Sequence, residues 1–400
     1  MTDFHDPIRQ VDLLRQSLSV PKRPISFLIG AGCPLSIRDK ENNPIIPDVK
    51  GMTKIISEEL SKDKKDKDSA TFMKFRKQLS KPEDPTVEDY LGHIRMLREV
   101  AKQTPIGDIT SAELAALESR ICDRIVDLAS ARLSGSGTPY HHLAAWIRGV
   151  SRAIPVELFT TNYDLLLEQA LEELRVPYFD GFIGSFQAFF DPDSMESEES
   201  SLPSRWARLR KLHGSINWKT TRPEAPYEVV RTGERVKECH LIHPSHLKYD
   251  ESRQMPFLAM MDRLKAFLRK PTSVFITVGY SFSDRHINAL IRQALAANHD
   301  AMTFGLLFLP LDKYPDAITL AKMTPNLSLF ATDGAVIGTR QLSWKAPLES
   351  KDLPTGISFD KEKNTTTVAL GDFAVLGQFL QELIGQHADD IQTPTETPRA

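Results

Sequence analysis

His213 stands between a short apolar run and a glycine, in Lys211-Leu212-His213-Gly214-Ser215. An imidazole so placed suits a cleft, and its ordinary pKa of about 6.5 suits a general base at neutral pH. A plain His-Gly turn gives the same pattern. Asn162 lies in Leu158-Phe159-Thr160-Thr161-Asn162-Tyr163-Asp164, where its amide offers both a donor and an acceptor. Asp164 could act beside it, and is equally the residue type that caps a following helix. In Val278-Gly279-Tyr280-Ser281-Phe282-Ser283-Asp284, Gly279 and Ser281 could serve a phosphate or a ribose hydroxyl, whereas Ser283 or Asp284 could be merely a helix cap. Gly30-Ala31-Gly32 follows Phe27-Leu28-Ile29. Small residues there let a ligand's phosphates approach the backbone, whose N–H groups can bind them. The same triplet also makes a tight turn with no ligand.

These four stretches share a context, because each falls at the end of a predicted strand. Residues 24–29 read as a buried strand, entered from an amphipathic helix over residues 6–19. Cys33 to Ile37 opens either a helix or a loop. Val156 to Thr160, Leu209 to Leu212, Ser273 to Val278, Thr303 to Leu309 and Leu327 to Phe330 are further strands, the last of these read as the final one. Helices are expected over Leu165 to Leu174 and Ile287 to Ala297. Alternating strands and helices imply an α/β fold with a mostly parallel, doubly wound sheet. Residues 52–150 interrupt it with apolar residues at helical spacing and read as a large helical insertion, with more apolar positions than one sheet face can cover. Phe190 to Ser204 is acidic and serine-rich and reads as a mobile loop, and Thr220 to Asp250 as a hairpin or small subdomain. The expected organisation is a discontinuous domain of residues 1–51 and 151–340, the 52–150 insertion, a C-terminal extension with a helix over 341–388, and a disordered tail over 389–400.

Composition narrows the class. With 41% hydrophobic and 26% charged residues and a net charge of −3, the 400-residue chain gives no global case for nucleic-acid binding. No apolar run approaches ~18 residues, so no membrane span is expected. The N-terminus has no signal-peptide pattern. Cys33, Cys122 and Cys239 are isolated, without metal-ligand spacing. A reduced, cytoplasmic protein is expected.

Taken together the motifs resemble the sirtuin family, whose fold is Rossmann-like and which consumes NAD. Gly30-Ala31-Gly32 is similar to its phosphate loop, Thr161-Asn162-Tyr163-Asp164 to its Gln-Asn-Ile-Asp motif, His213-Gly214 to its catalytic pair, and Gly279-Tyr280-Ser281 to its Gly-Thr-Ser segment. The likeness covers roughly residues 20–40 and 150–335. Thr161 replaces a glutamine, and three isolated cysteines cannot form the two Cys-x-x-Cys pairs of the deacylases' zinc ribbon. Both departures point to the zinc-free branch of bacterial antiphage defence. Pro85-Thr86-Val87-Glu88-Asp89-Tyr90-Leu91 and Tyr178-Phe179-Asp180-Gly181-Phe182 also look like segments of that branch.

The resemblance implies an NAD glycohydrolase, with NAD as substrate and no zinc. Asn162, His213 and Asp164 would be catalytic. Gly30, Ala31, Gly32, Ser36, Thr161, Gly279, Ser281 and Asp333 would hold the dinucleotide, with Asp333 at the adenine end. It further implies a homo-oligomer partnered with a HerA-like ATPase or another defence sensor. The competing readings are a zinc-free protein deacylase and a non-catalytic NAD- or ADP-ribose-binding sensor.

Overall fold

Ile25-Ser26-Phe27-Leu28-Ile29 has no polar–apolar alternation of the kind a half-exposed strand shows. Such a run must be covered on both faces, the environment of a central parallel strand. In the computed structural model, which describes residues 4–62, 66–79, 85–222, 228–233, 239–241, 255–346 and 353–389, this segment is strand β1 (Ile25–Ile29), buried at every position. The other strands of its sheet are β2 (Glu157–Thr160), β3 (Tyr178–Phe179), β4 (Ala207–Lys211), β5 (Val274–Val278), β6 (Met302–Leu306), β7 (Leu327–Phe330), β8 (Gly334–Ile337) and β9 (Arg340–Ser343). Their order is β9-β8-β7-β6-β5-β1-β2-β4-β3. All pairings from β3 to β7 are parallel, and β8 and β9 add an antiparallel edge. The chain leaves β1 toward β2 and later returns to its other side as β5, so the topological switch point lies between β1 and β5.

Register then fixes where the polar residues emerge. Ile29 pairs with Val278 on one side and Thr160 on the other, and Thr160 pairs with Lys211. Gly30, Gly279, Thr161 and Leu212 therefore leave the sheet at one level, along its carboxyl edge. Phe27 and Ile29 point to one face and Leu28 to the other, as the pleat requires. The first face is covered by helices Pro7–Ser19, Pro139–Gly149, Leu166–Glu173 and Phe373–Asp389. The second is covered by Phe257–Leu268, Arg285–Ala296 and Pro315–Lys322.

Residues between β1 and β2 form helices Val49–Lys62, Lys67–Gln78, Val87–Ala101 and Ser111–Ala129. Thr86 with Asp89, and Thr110 with Glu113, form capping boxes at the starts of the last two. Ile56, Phe72, Phe75, Tyr90, Leu91, Leu117 and Ile121 make a core within this block. Much of the apolar surplus thus faces the block's own interior, while Met73, Met96 and Val100 are exposed. Helix Pro139–Gly149, read from sequence as part of the block, instead packs Tyr140, Leu143 and Trp146 into the sheet's core.

A second, five-stranded antiparallel sheet contains Phe182–Ile183, Ala188–Phe190, Glu228–Arg231, Gly214–Arg222 and Cys239–Leu241, and accounts for the described part of the Thr220–Asp250 expectation. Two readings are corrected. Phe190 to Ser204 is not a loop but contains helix Pro192–Ser201. Asp191 accepts the Ser194 amide at its start and Met195 is buried as an anchor, so one apolar residue outweighs the acidic composition. Nor is β7 the last strand, since β8, β9 and the hairpin Ile357–Asp360/Thr365–Val368 follow. The expected tail lies outside the described residues beyond 389. No helix among the described residues is long and apolar enough to cross a membrane.

Candidate functional site

At the switch point the ends of β1 and β5 interlock backbone to backbone. Gly30 N–H donates to the Val278 carbonyl at 2.9 Å and Gly32 N–H to the Gly279 carbonyl at 2.9 Å. A Cβ on Gly30 would fall 2.3 Å from the Gly279 oxygen. Gly279 itself has φ +64°, and a Cβ there would sit 2.6 Å from the Cys33 nitrogen. The glycines are therefore required by each other. Both amides donate within the protein, so the expected contact of this turn's backbone with a pyrophosphate would use its other groups. Ala31 is exposed at the tip of the turn. Ser36 Oγ donates to the Cys33 carbonyl at 2.7 Å and closes its own turn. Cys33 is buried, and burial pushes its thiol well above the ordinary value.

Beyond β2, Thr160 Oγ1 donates to the Ile29 carbonyl at 2.8 Å and accepts from the Asn162 amide at 3.0 Å. Asn162 Nδ2 donates to the Gly30 carbonyl at 3.1 Å, tying this turn to the glycine turn. Its Oδ1 is buried with no hydrogen bond of good geometry, as is the hydroxyl of Tyr140, whose pKa is raised well above the ordinary value by burial and drawn back by Asn162. Thr161 is half-buried, its amide donating to Ile29 at 3.3 Å. Asp164 Oδ1 accepts the Leu166 amide at 3.0 Å from one residue before the N-cap position, which Leu165 occupies. Burial pushes its carboxyl up to about 6, against the pull of Lys211. Lys211 Nζ lies beneath, bonded to the Asp164 carbonyl and, at 2.8 Å, to Glu168.

Beyond β4, His213 is only 7% exposed. Gly214 follows at φ +90°, which lets the chain turn directly into the second sheet. The imidazole lies 6.5 Å, centroid to centroid, from the Tyr163 ring, and its Nε2 is 3.2 Å from Asp284 Oδ2. Asp284 Oδ1 meanwhile accepts the His286 and Ile287 amides at 2.9 and 3.1 Å, capping helix Arg285–Ala296. Asp284 is the site residue that sequence reasoning missed. It is visible there only as a helix cap, and nothing in the spacing links it to His213. Ser281 is exposed, its Oγ 2.9 Å from Ser283 Oγ.

Asp333 stands apart, between β7 and β8, where its Oδ1 accepts the Leu311 amide at 2.9 Å. It lines a cavity of about 460 Å³ with Asp312, Lys322, Gln341 and Ser343. Among the described residues no group of three or more His, Cys, Asp or Glu side chains is arranged to hold a metal ion.

A buried histidine and a buried asparagine, at the ends of neighbouring strands beside a glycine switch point, form a base and an amide that could work on one substrate. Residues 156–327 match the family model of the SIR2-like domain. The SIR2-like segment runs from the start of β2 to the start of β7 and includes Asn162, Asp164, His213, Gly279, Ser281 and Asp284. It covers less than half of the chain and excludes the Gly30-Ala31-Gly32 turn and the helical block. No curated protein matches the chain. Similar solved structures include two Sir2 examples. One is described as a Sir2 homolog–NAD complex, at 12% identity, TM-score 0.38 and 98% coverage of both chains. The other, described as treating the mechanism and regulation of Sir2 enzymes, matches at 11% identity, TM-score 0.35, 80% coverage of this chain and 90% of that chain. Overlap this loose transfers no residue's role.

Proposed function

We propose that the chain is an NAD glycohydrolase, cleaving the bond between nicotinamide and ribose. The observation that carries this reading is the burial of Asn162 and His213 at the ends of adjacent strands β2 and β4, within the SIR2-like segment. In the reaction the carbon–nitrogen bond breaks with its electron pair leaving on nicotinamide. Water supplies the new oxygen at the ribose carbon and loses one proton, and the products are nicotinamide and ADP-ribose. His213 would be the base that takes a proton from water or from a ribose hydroxyl.

The residues fit NAD as a substrate best on its ribose side. Asn162 carries a buried side-chain amide beside the Tyr140 hydroxyl, and the amide's Oδ1 would accept from a ribose hydroxyl. Asp164 would hold the Asn162 turn against the following helix. Thr161, Gly279 and Ser281 would face the nucleotide, and the pyrophosphate would meet the exposed edge of the turn at Ala31 rather than the spent amides of Gly30 and Gly32. Asp333 would lie toward the adenine end. NAD depletion in antiphage defence, by an oligomer working with a HerA-like ATPase, belongs to the same proposal and rests on the sequence resemblance.

The test is product analysis of NAD incubated with the purified chain over a range of protein concentrations. It is repeated with and without an acylated peptide and a HerA-like ATPase. Nicotinamide and ADP-ribose in equal amounts, independent of peptide, are expected. Release of nicotinamide only with the peptide would mean a deacylase, and NAD binding without turnover under every condition would mean a sensor.

A further inference from the structure

We propose that Asp284 is a positioning residue for His213, one carboxylate oxygen fixing the start of helix Arg285–Ala296 and the other holding the imidazole. This rests on His213 being the base of the proposed reaction. Its geometric basis is separate. A plain N-cap needs one acceptor oxygen and is served as well by Ser, Thr or Asn. Here Oδ1 accepts both the His286 and Ile287 amides. Oδ2 is turned to His213 Nε2 at 3.2 Å, and the two side chains are 8% and 9% exposed. A carboxylate at that nitrogen selects the tautomer, orients the ring and stabilises the imidazolium formed when the base takes a proton.

The turn that carries Asp284 is built to hold it still. Phe282 is fully buried at φ +58°, a conformation that bulky residues adopt only when their surroundings impose it. Asn288 Nδ2 donates to the Phe282 carbonyl at 2.6 Å, and Tyr280 Oη donates to Asn288 Oδ1 at 3.0 Å. Gly305 of β6 makes room for the Phe282 ring, since a Cβ there would lie 3.1 Å from it. The capping helix, the β5 turn and the imidazole after β4 are thus joined through one carboxylate. Besides Asp284, Tyr163 lies beside the ring, Glu88 and Arg95 of helix Val87–Ala101 act on Tyr163 from the helical block, and Tyr280 and the backbone of His286 adjoin Asp284.

The experiment compares wild type with Asp284→Asn, which keeps a capping oxygen but loses the charge. The His213 imidazole is titrated by NMR, and NAD turnover is followed against pH. The imidazole pKa is expected to fall by about one unit or more in the variant. Turnover is expected to fall roughly 10²-fold with KM little changed, and the acid limb of the pH profile to move to lower pH. A residue that only capped the helix would move neither the imidazole titration nor the pH profile. An unshifted imidazole pKa in the folded variant overturns the proposal, as does turnover unaltered from that of an active wild type. Should the imidazole pKa shift between wild type and variant while the wild type turns over no NAD, the pairing stands and the glycohydrolase reading falls.

Discussion

Asp164 is a buried carboxyl whose pKa is pushed from 3.8 to about 6, chiefly by burial, while Lys211 opposes the shift. The folded chain therefore holds this proton through a pH range in which the unfolded chain has lost it. Stability then falls as pH rises from about 4 through about 6, and the cost is fully present above that. Asp164→Asn keeps an acceptor for the Leu166 amide and removes the buried charge, while Lys211 keeps Glu168. Denaturant unfolding should find the variant equal to wild type near pH 4 and more stable at pH 8, by up to about 3 kcal/mol. A difference that does not change with pH would contradict this account of the carboxyl. At this scale the sequence revealed which residues are polar at strand ends, because a polar residue after an apolar run is a local signal. It could not reveal that Asp284 faces His213, which depends on strands β4 and β5 being brought together on opposite sides of β1.

The glycines belong to the scale of elements. Sequence reading assigned Gly30 and Gly32 to phosphate contact, whereas their amides join β1 to the β5 turn. Gly30→Ala should cost about 2–4 kcal/mol in urea unfolding, because the new methyl meets backbone that cannot move aside. Gly338→Ala is the control. It has φ +53° but nothing within 4 Å of a Cβ, so only conformational strain of about 1 kcal/mol applies. If Gly30→Ala costs no more than Gly338→Ala, the two strand ends do not interlock. The long apolar strands and the amphipathic helices were legible because their period is local. Strand β9 was not, since Arg340, Gln341 and Ser343 are exposed and leave no apolar run to read, and β8, though apolar and buried, is only the four residues Gly334–Ile337. Helix Pro192–Ser201 was hidden because its sequence is acidic and serine-rich, with Met195 its buried anchor among the described side chains.

Across the whole molecule, alternation of strands and helices foretold the doubly wound sheet, but its order had to come from long-range pairing. The helical block was legible as helices, but what its surplus apolar positions pack against was not, because a sequence shows how much apolar surface exists and not what covers it. Phe75 is fully buried in that block's core. Phe75→Ala should destabilise the block by about 3–5 kcal/mol, seen as faster hydrogen exchange in Val49–Lys62, Lys67–Gln78, Val87–Ala101 and Ser111–Ala129. Equal loss of protection in β1 and β2 would show that the block has no independent core. Tyr163 packs against the block and stands 6.5 Å from the His213 ring, and Val126 and Ala129 of the block pack with Ile216, so the block reaches the site through both contacts.

The central claim is that Asn162 and His213 act together on the nicotinamide–ribose bond. The most direct measurement is nicotinamide release from NAD by wild type, Asn162→Ala and His213→Ala, each first shown by circular dichroism and thermal melting to be folded. Release by wild type and a loss of at least about 10²-fold in each variant is the predicted result. Release at the wild-type rate by either folded variant, or none by wild type in any assembly state, would contradict it.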